Sequence, residues 1–175
     1  GLMAAVDKSD SADFTKEEIL KPSGWILLSF IMDARTGLGR YRDYRISNLE
    51  LMIDMIKYCR TMNADQILNV PDVQERVKRY FSQEQAYETM LKANSRSDCN
   101  VIIIYFLRVE EILSGNRFVE YALFPEQNVS VRIIWGREKQ NVVFTVGHSI
   151  INRTCRSNIG SMMLTYGGGG HNKVG

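Results

Sequence analysis

The sequence has 175 residues, 45% hydrophobic and 24% charged with a net charge of +2, a globular balance that excludes a disordered chain and gives no general attraction to nucleic acid or membranes. Cys59, Cys99 and Cys155 are widely spaced and form no CxxC pair, which excludes a disulfide scaffold and a zinc site and fits a reducing, cytoplasmic compartment. The longest apolar run, VIIIYFL at 101–107, is too short to cross a bilayer, and the opening residues lack the pattern of a signal peptide.

The chain opens on GLMAAVD, which reads as the end of a buried strand delivering Asp7 at its C-terminal edge, where functional groups gather in open α/β folds. Asp10 and Asp13 follow in the same polar stretch, and their ordinary role is as solvated or capping residues. Thr15 and Glu18 have capping-box spacing and start a short helix; KPSGWILLSFIMD is a break followed by a buried helical segment. ARTGLGRYRDYRIS, 34–47, is a loop with Arg35, Arg40, Arg42 and Arg45 around two glycines. These arginines suit either phosphate recognition or ion pairs with Asp33, Asp43 and Glu50. Arg117 and Arg132 are weaker anion candidates, and Tyr41, Tyr44 and Trp135 are candidate stacking surfaces for a base.

Ser47 and Glu50 form a second capping box before an amphipathic helix, and Pro71 opens a long one. The Met and aromatic stripes of this region read as core. From about residue 99 the period changes to that of strands. NVIIIYFLRVE is a strand, GNRFVEYALFPE a helix ended by Pro125, and NVSVRIIWG and QNVVFTVGHS a hairpin pair. His148 ends the second of these and reads as a packed or capping residue. SNIGSMMLTYGGGG is a helix begun by Ser157 or Asn158 and stopped by glycine.

The architecture expected is therefore α/β: the end of a parallel-sheet lobe over 1–46, a helical linker over 47–98, and a small mixed-sheet α/β lobe over 99–175. The apolar opening and the stop just after HNKV read as the two ends of a segment cut from a longer protein.

Four glycines followed by a histidine make either a flexible linker or a loop whose amides gather on an anion. Directly after a helix, the loop is the better reading. YGGGGHNKVG resembles the Gly-Gly-Gly-His-x-x-Ala-Gly signature of the domain associated with DHH phosphoesterases: Gly168, Gly169, Gly170 and His171 match its start and Gly175 its end, and Val174 stands where the family usually has Ala. SFIMDARTGLGRYRDYRISN and the run from Gly115 to Gly147 are similar to the exopolyphosphatase-related branch.

That resemblance implies hydrolysis of phosphoesters or phosphoanhydrides by two Mn²⁺ or Mg²⁺ ions, the glycine–histidine loop gripping substrate. It implies substrate contacts from Gly168, Gly169, Gly170 and His171, and Asp7 as a metal ligand with Asp10 and Asp13 as rivals; Arg35 and Arg40 of the arginine loop are the further candidates for substrate phosphate, on guanidinium chemistry alone. Substrates of that superfamily include polyphosphate, short oligonucleotides and dinucleotides. No Asp-His-His triplet occurs, so the catalytic residues and remaining ligands are expected upstream. The alternative is a nucleotide or nucleic-acid binding module without chemistry. No membrane partner is expected, and a homodimer stays open.

Overall fold

A computed structural model describes residues 1–175, which divide into two compact units, Gly1–Glu88 with Leu113–Arg117, and Thr89–Ile112 with Phe118–Gly175.

The first unit contains no strand. Its helices are α1 (Leu2–Ser11), α2 (Lys16–Leu20), α3 (Gly24–Met32), α4 (Asn48–Thr61), α5 (Ala64–Leu68) and most of α6 (Pro71–Ala93). The expected strand at GLMAAVD is thus corrected to helix α1. Leu, Met and two alanines are strong helix formers, only Val6 is β-branched, and no partner strand lies in this unit. A six-residue apolar run carries too little periodicity to decide between the two.

Both expected capping boxes are present: Thr15 accepts from Glu18 N and Ser47 from Glu50 N, each glutamate returning the bond. A third, Asn63 with Gln66, opens α5. The core is built on Ile19, Leu27, Phe30, Ile31, Leu51, Ile67 and Val73, all 5% exposed or less, with Phe14 set edge-on to Phe30 at 5.0 Å. The stripes of α4 are only half core: Leu51 and Met55 are buried, whereas Leu49, Met52, Ile53 and Ile56 face solvent.

In the second unit, β1 (Ser95–Asp98), β2 (Val101–Tyr105), β3 (Val129–Trp135) and β4 (Val142–His148) lie in sequence order. β1/β2 and β3/β4 are antiparallel and β2/β3 is parallel, the mixed sheet of a small α/β lobe. One face holds Ile102, Ile104 and Ser130 against α7 (Val119–Leu123). There Tyr121 OH lies 2.9 Å from Ser130 Oγ, and Arg132 Nε donates to Glu120 Oε2 at 2.6 Å. On the other face Val129 and Val146 pack with Ile159 and Met163 of α8 (Ile159–Leu164). No helix of the molecule is long and apolar enough to cross a membrane.

Candidate functional site

The C-terminal glycine run is a built loop. α8 is capped by the Asn158 side chain, which accepts from Ser161 N at 3.0 Å. The other amides at its start are taken by the loop itself: Ile159 N donates to Asn172 O at 2.9 Å and Gly160 N to His171 O at 2.8 Å. The chain leaves the helix through Gly167 (φ 79°), and Gly168 N donates back to Met163 O at 2.9 Å. After a turn closed by His171 N to Val174 O at 2.7 Å, the last residues run antiparallel along β4. Val146 and Gly175 exchange both backbone bonds, at 2.7 and 2.9 Å, and His148 N donates to Lys173 O at 2.9 Å.

Glycine is demanded at particular points of this path. Gly170 sits at φ 153°, and a Cβ there would stand 2.2 Å from Val174 O. Gly160, inside α8, approaches the loop so closely that a Cβ would lie 2.7 Å from Gly170 O and 2.9 Å from His171 O. Sequence reading placed Gly160 in a helix without giving it a role. Its signal was the cost of about 1 kcal/mol that glycine carries in a helix relative to alanine. The result is an exposed segment in which the Gly169 and Gly170 N–H groups have no acceptor in the chain and the His171 ring lies open to solvent. Two adjacent free amides with a nearby imidazole can donate together to an anionic oxygen. His148 takes a structural place, its Nε2 lying 2.9 Å from Ser157 O.

Arg35, Arg40 and Asp7 belong to the first unit and the glycine loop to the second. Arg35 Nε donates to Asp33 Oδ1 at 2.9 Å, and Arg117 Nε pairs with the other oxygen at 3.2 Å. Arg40 donates to Ser114 Oγ at 3.0 Å. Asp43 is held by Arg79, and Arg45 pairs with Asp72 at 3.1 Å. Of the four loop arginines, Arg35 and Arg45 are thus in ion pairs, and Arg40 is held by a hydroxyl. Tyr41 and Tyr44 are not open platforms, because the Arg79 guanidinium stands 4.1 Å from the Tyr41 centroid and Arg76 stands 3.8 Å from that of Tyr44. Trp135 is oriented by a bond from Nε1 to Leu107 O at 3.0 Å.

Asp33 is the pivot of the arginine loop. Burial pushes its carboxyl upward, but bonds from the Arg35 side chain and backbone, with the charges of Arg35 and Arg117, outweigh this and hold it below the usual range. A depressed pKa contributes stability that is present above the unfolded value of about 3.9 and is lost as pH falls through the folded one. Asp33→Asn is expected to cost roughly 1–3 kcal/mol at pH 7. Urea titrations of the two proteins should converge as the pH drops below about 3.9; a constant gap would contradict this account.

Asp7 and Asp10 stand on α1 rather than in a loop at a strand edge, and Asp7 is exposed. No three His, Cys, Asp or Glu side chains are grouped so as to hold a metal ion. The residues of this chain do not by themselves fit a two-metal centre.

No protein-family model and no curated protein matches the chain. Among solved structures, it is similar to a pGpG-specific phosphodiesterase, PggH, from Vibrio cholerae, at 46% identity over 98% of this chain with a TM-score of 0.90. The chain spans 57% of that protein's chain. That structure's description names a phosphodiesterase and not an exopolyphosphatase.

Proposed function

We propose that this chain is the substrate-gripping part of a DHH-superfamily phosphodiesterase that hydrolyses a short phosphorylated dinucleotide of the pGpG kind. The observation that carries the reading is the 46% identity, sustained over nearly the whole chain, to a phosphodiesterase of that specificity. The loop supports it. The Gly169 and Gly170 amides would donate to a terminal phosphate, and His171 would add a further donor. Arg35 and Arg40 keep the roles of second-rank phosphate contacts, with Arg40 able to exchange its bond to Ser114 for one to substrate. Asp7 would be at most one ligand of a Mn²⁺ or Mg²⁺ pair, the others coming from outside this chain. Hydrolysis in this reading depends on groups these residues do not supply.

A substrate panel tests it: a longer protein carrying this chain, with Mn²⁺, offered pGpG, pApA, cyclic dinucleotides and polyphosphate. pGpG should be cleaved most efficiently, and His171→Ala should lower kcat/KM by about 10- to 100-fold. The 175-residue chain alone should bind without turnover. Preference for polyphosphate would move the assignment to the exopolyphosphatase-like branch. Binding without turnover by the longer protein would leave a nucleotide-binding module.

A further inference from the structure

Apolar packing sets how far α8 stands from the sheet, but not where along it the helix comes to rest. Ile159 and Met163 press on Val129 and Val146, and contacts of that kind have no direction. The glycine–histidine loop hangs from the start of α8 through Ile159 N to Asn172 O and Gly160 N to His171 O. Its amides are therefore placed only as well as that start is.

One residue supplies the missing directional bonds. His148 is the last residue of β4 and pairs with Val129. Its backbone N donates to Lys173 O at 2.9 Å, and its ring Nε2 lies 2.9 Å from Ser157 O, the carbonyl just before the cap of α8. A carbonyl only accepts, so Nε2 carries a proton, and in the neutral ring Nδ1 does not. With the bond from Ile159 N to Asn172 O these two close a triangle. It runs from β4 to the returning arm of the loop, from that arm to α8, and from α8 back to β4. The corner at His148 is firm. Ser149, 2% exposed, follows it, its N donating to Asn128 O at 2.9 Å and its Oγ accepting from Ile151 N at 3.2 Å and Asn152 N at 3.0 Å.

We propose that His148 is a positioning residue for the phosphate grip: its imidazole pins the start of α8, and through it the Gly169 and Gly170 amides and His171, in the geometry that receives the anion. This rests on the reading of the loop given above. Without the ring one side of the triangle opens and α8 can shift against β4, while the bonds between Val146 and Gly175 still hold the end of the chain to the strand. The free amides then no longer converge on one oxygen. A grip that holds bound substrate and transition state equally sets KM rather than kcat.

Three substitutions separate a pin from a space-filler. The Gln amide nitrogen reaches about as far from the backbone as the imidazole Nε2, whereas Asn places its donor nearer, at the level of Nδ1. In the longer protein with Mn²⁺, His148→Ala and His148→Asn should raise KM for pGpG about 10-fold with kcat little changed, and His148→Gln should recover most of that loss. In magnetic resonance spectra of the 175-residue chain at alkaline pH, the His148 ring should be the Nε2–H tautomer. There His148→Ala should move the amides of Ile159, Gly160 and His171 while leaving β2 and β3 in place, and His148→Gln should return them. The proposal is overturned by an Nδ1–H tautomer, or by His148→Gln faring no better than His148→Ala. A fall in kcat at unchanged KM also overturns it, since that would put the ring at the chemistry. A longer protein that ignores pGpG counts against the reading of the site alone, and the loop amides then decide for or against the pin.

Discussion

Replacing Arg76 with alanine should destabilise the first unit by about 3–5 kcal/mol, the range for removing one member of a buried charge network. Arg76 is 1% exposed and is the largest of the fully buried side chains. Its Nη2 donates to Ile46 O at 2.6 Å and to Asn48 Oδ1 at 3.2 Å, and its Nη1 to Asp72 O at 3.0 Å, while the Tyr44 ring lies against its plane. These contacts tie α6 to the residues just before α4, so one guanidinium sets the end of the arginine loop. Truncation leaves the Ile46 carbonyl without its donor and the stacked face of Tyr44 empty. Arg76→Met fills the volume but restores no donor, so it should recover only part of the loss. Arg76→Lys keeps charge and loses the planar fork, and should also fall short. The chain has two tryptophans, Trp25 in the first unit and Trp135 in the second. In a Trp135→Phe background, Trp25 fluorescence during urea unfolding reports the first unit alone. A loss below about 1 kcal/mol for Arg76→Ala would mean that the network contributes packing and little else.

Arg76 also marks where sequence reading stopped. Nothing in PDVQERVKRY distinguishes it from Arg79 or Lys78, since all three suit an exposed helix face. Burial of a charged residue is decided by distant carbonyls such as that of Ile46, which no local pattern encodes. Local rules served well where the signal is local. The Thr15–Glu18 and Ser47–Glu50 boxes and the β3/β4 hairpin form as read, and of the two caps offered for α8, Ser157 or Asn158, Asn158 takes the role. Short apolar stretches failed, because LMAAV is too brief for periodicity to choose between helix and strand. The strand β1, Ser95–Asp98, is polar and went unread, being held by its register with β2 rather than by its own composition. In α4 the pattern gave the helix but not which of its two apolar sides meets the core. At the candidate site the glycine–histidine loop was legible as a motif. That it docks on α8 and β4, and that Gly160 makes room for it, was not.

Gly160→Ala should detach function from stability in the second unit. A Cβ at this position would stand 2.7 Å from Gly170 O, 2.9 Å from Gly170 C and 2.9 Å from His171 O, all backbone atoms of the loop. The loop has no flexible side chain to yield there, so it must move as a whole. Moving it breaks the bonds from Gly160 N and Ile159 N and disturbs the run against β4. Alanine meanwhile gains about 1 kcal/mol of helix propensity over glycine, which offsets much of the lost bonding. The expected balance is a second unit of nearly unchanged stability whose free amides no longer share one geometry. Affinity of the longer protein for pGpG should fall at least about 10-fold, which needs only about 1.4 kcal/mol of lost interaction. At Gly169, by contrast, a Cβ meets nothing within 4 Å in the chain and the backbone needs no positive φ, so Gly169→Ala should leave the loop's own path undisturbed. Gly170→Ala should be worse than Gly160→Ala, since it combines a 2.2 Å clash with φ 153°. Amide chemical shifts follow the outcome directly: Gly160→Ala should perturb 168–175 while leaving β2 and β3 in place. If that variant binds substrate as the wild type does while those shifts move, the loop's fixed shape is not what grips phosphate.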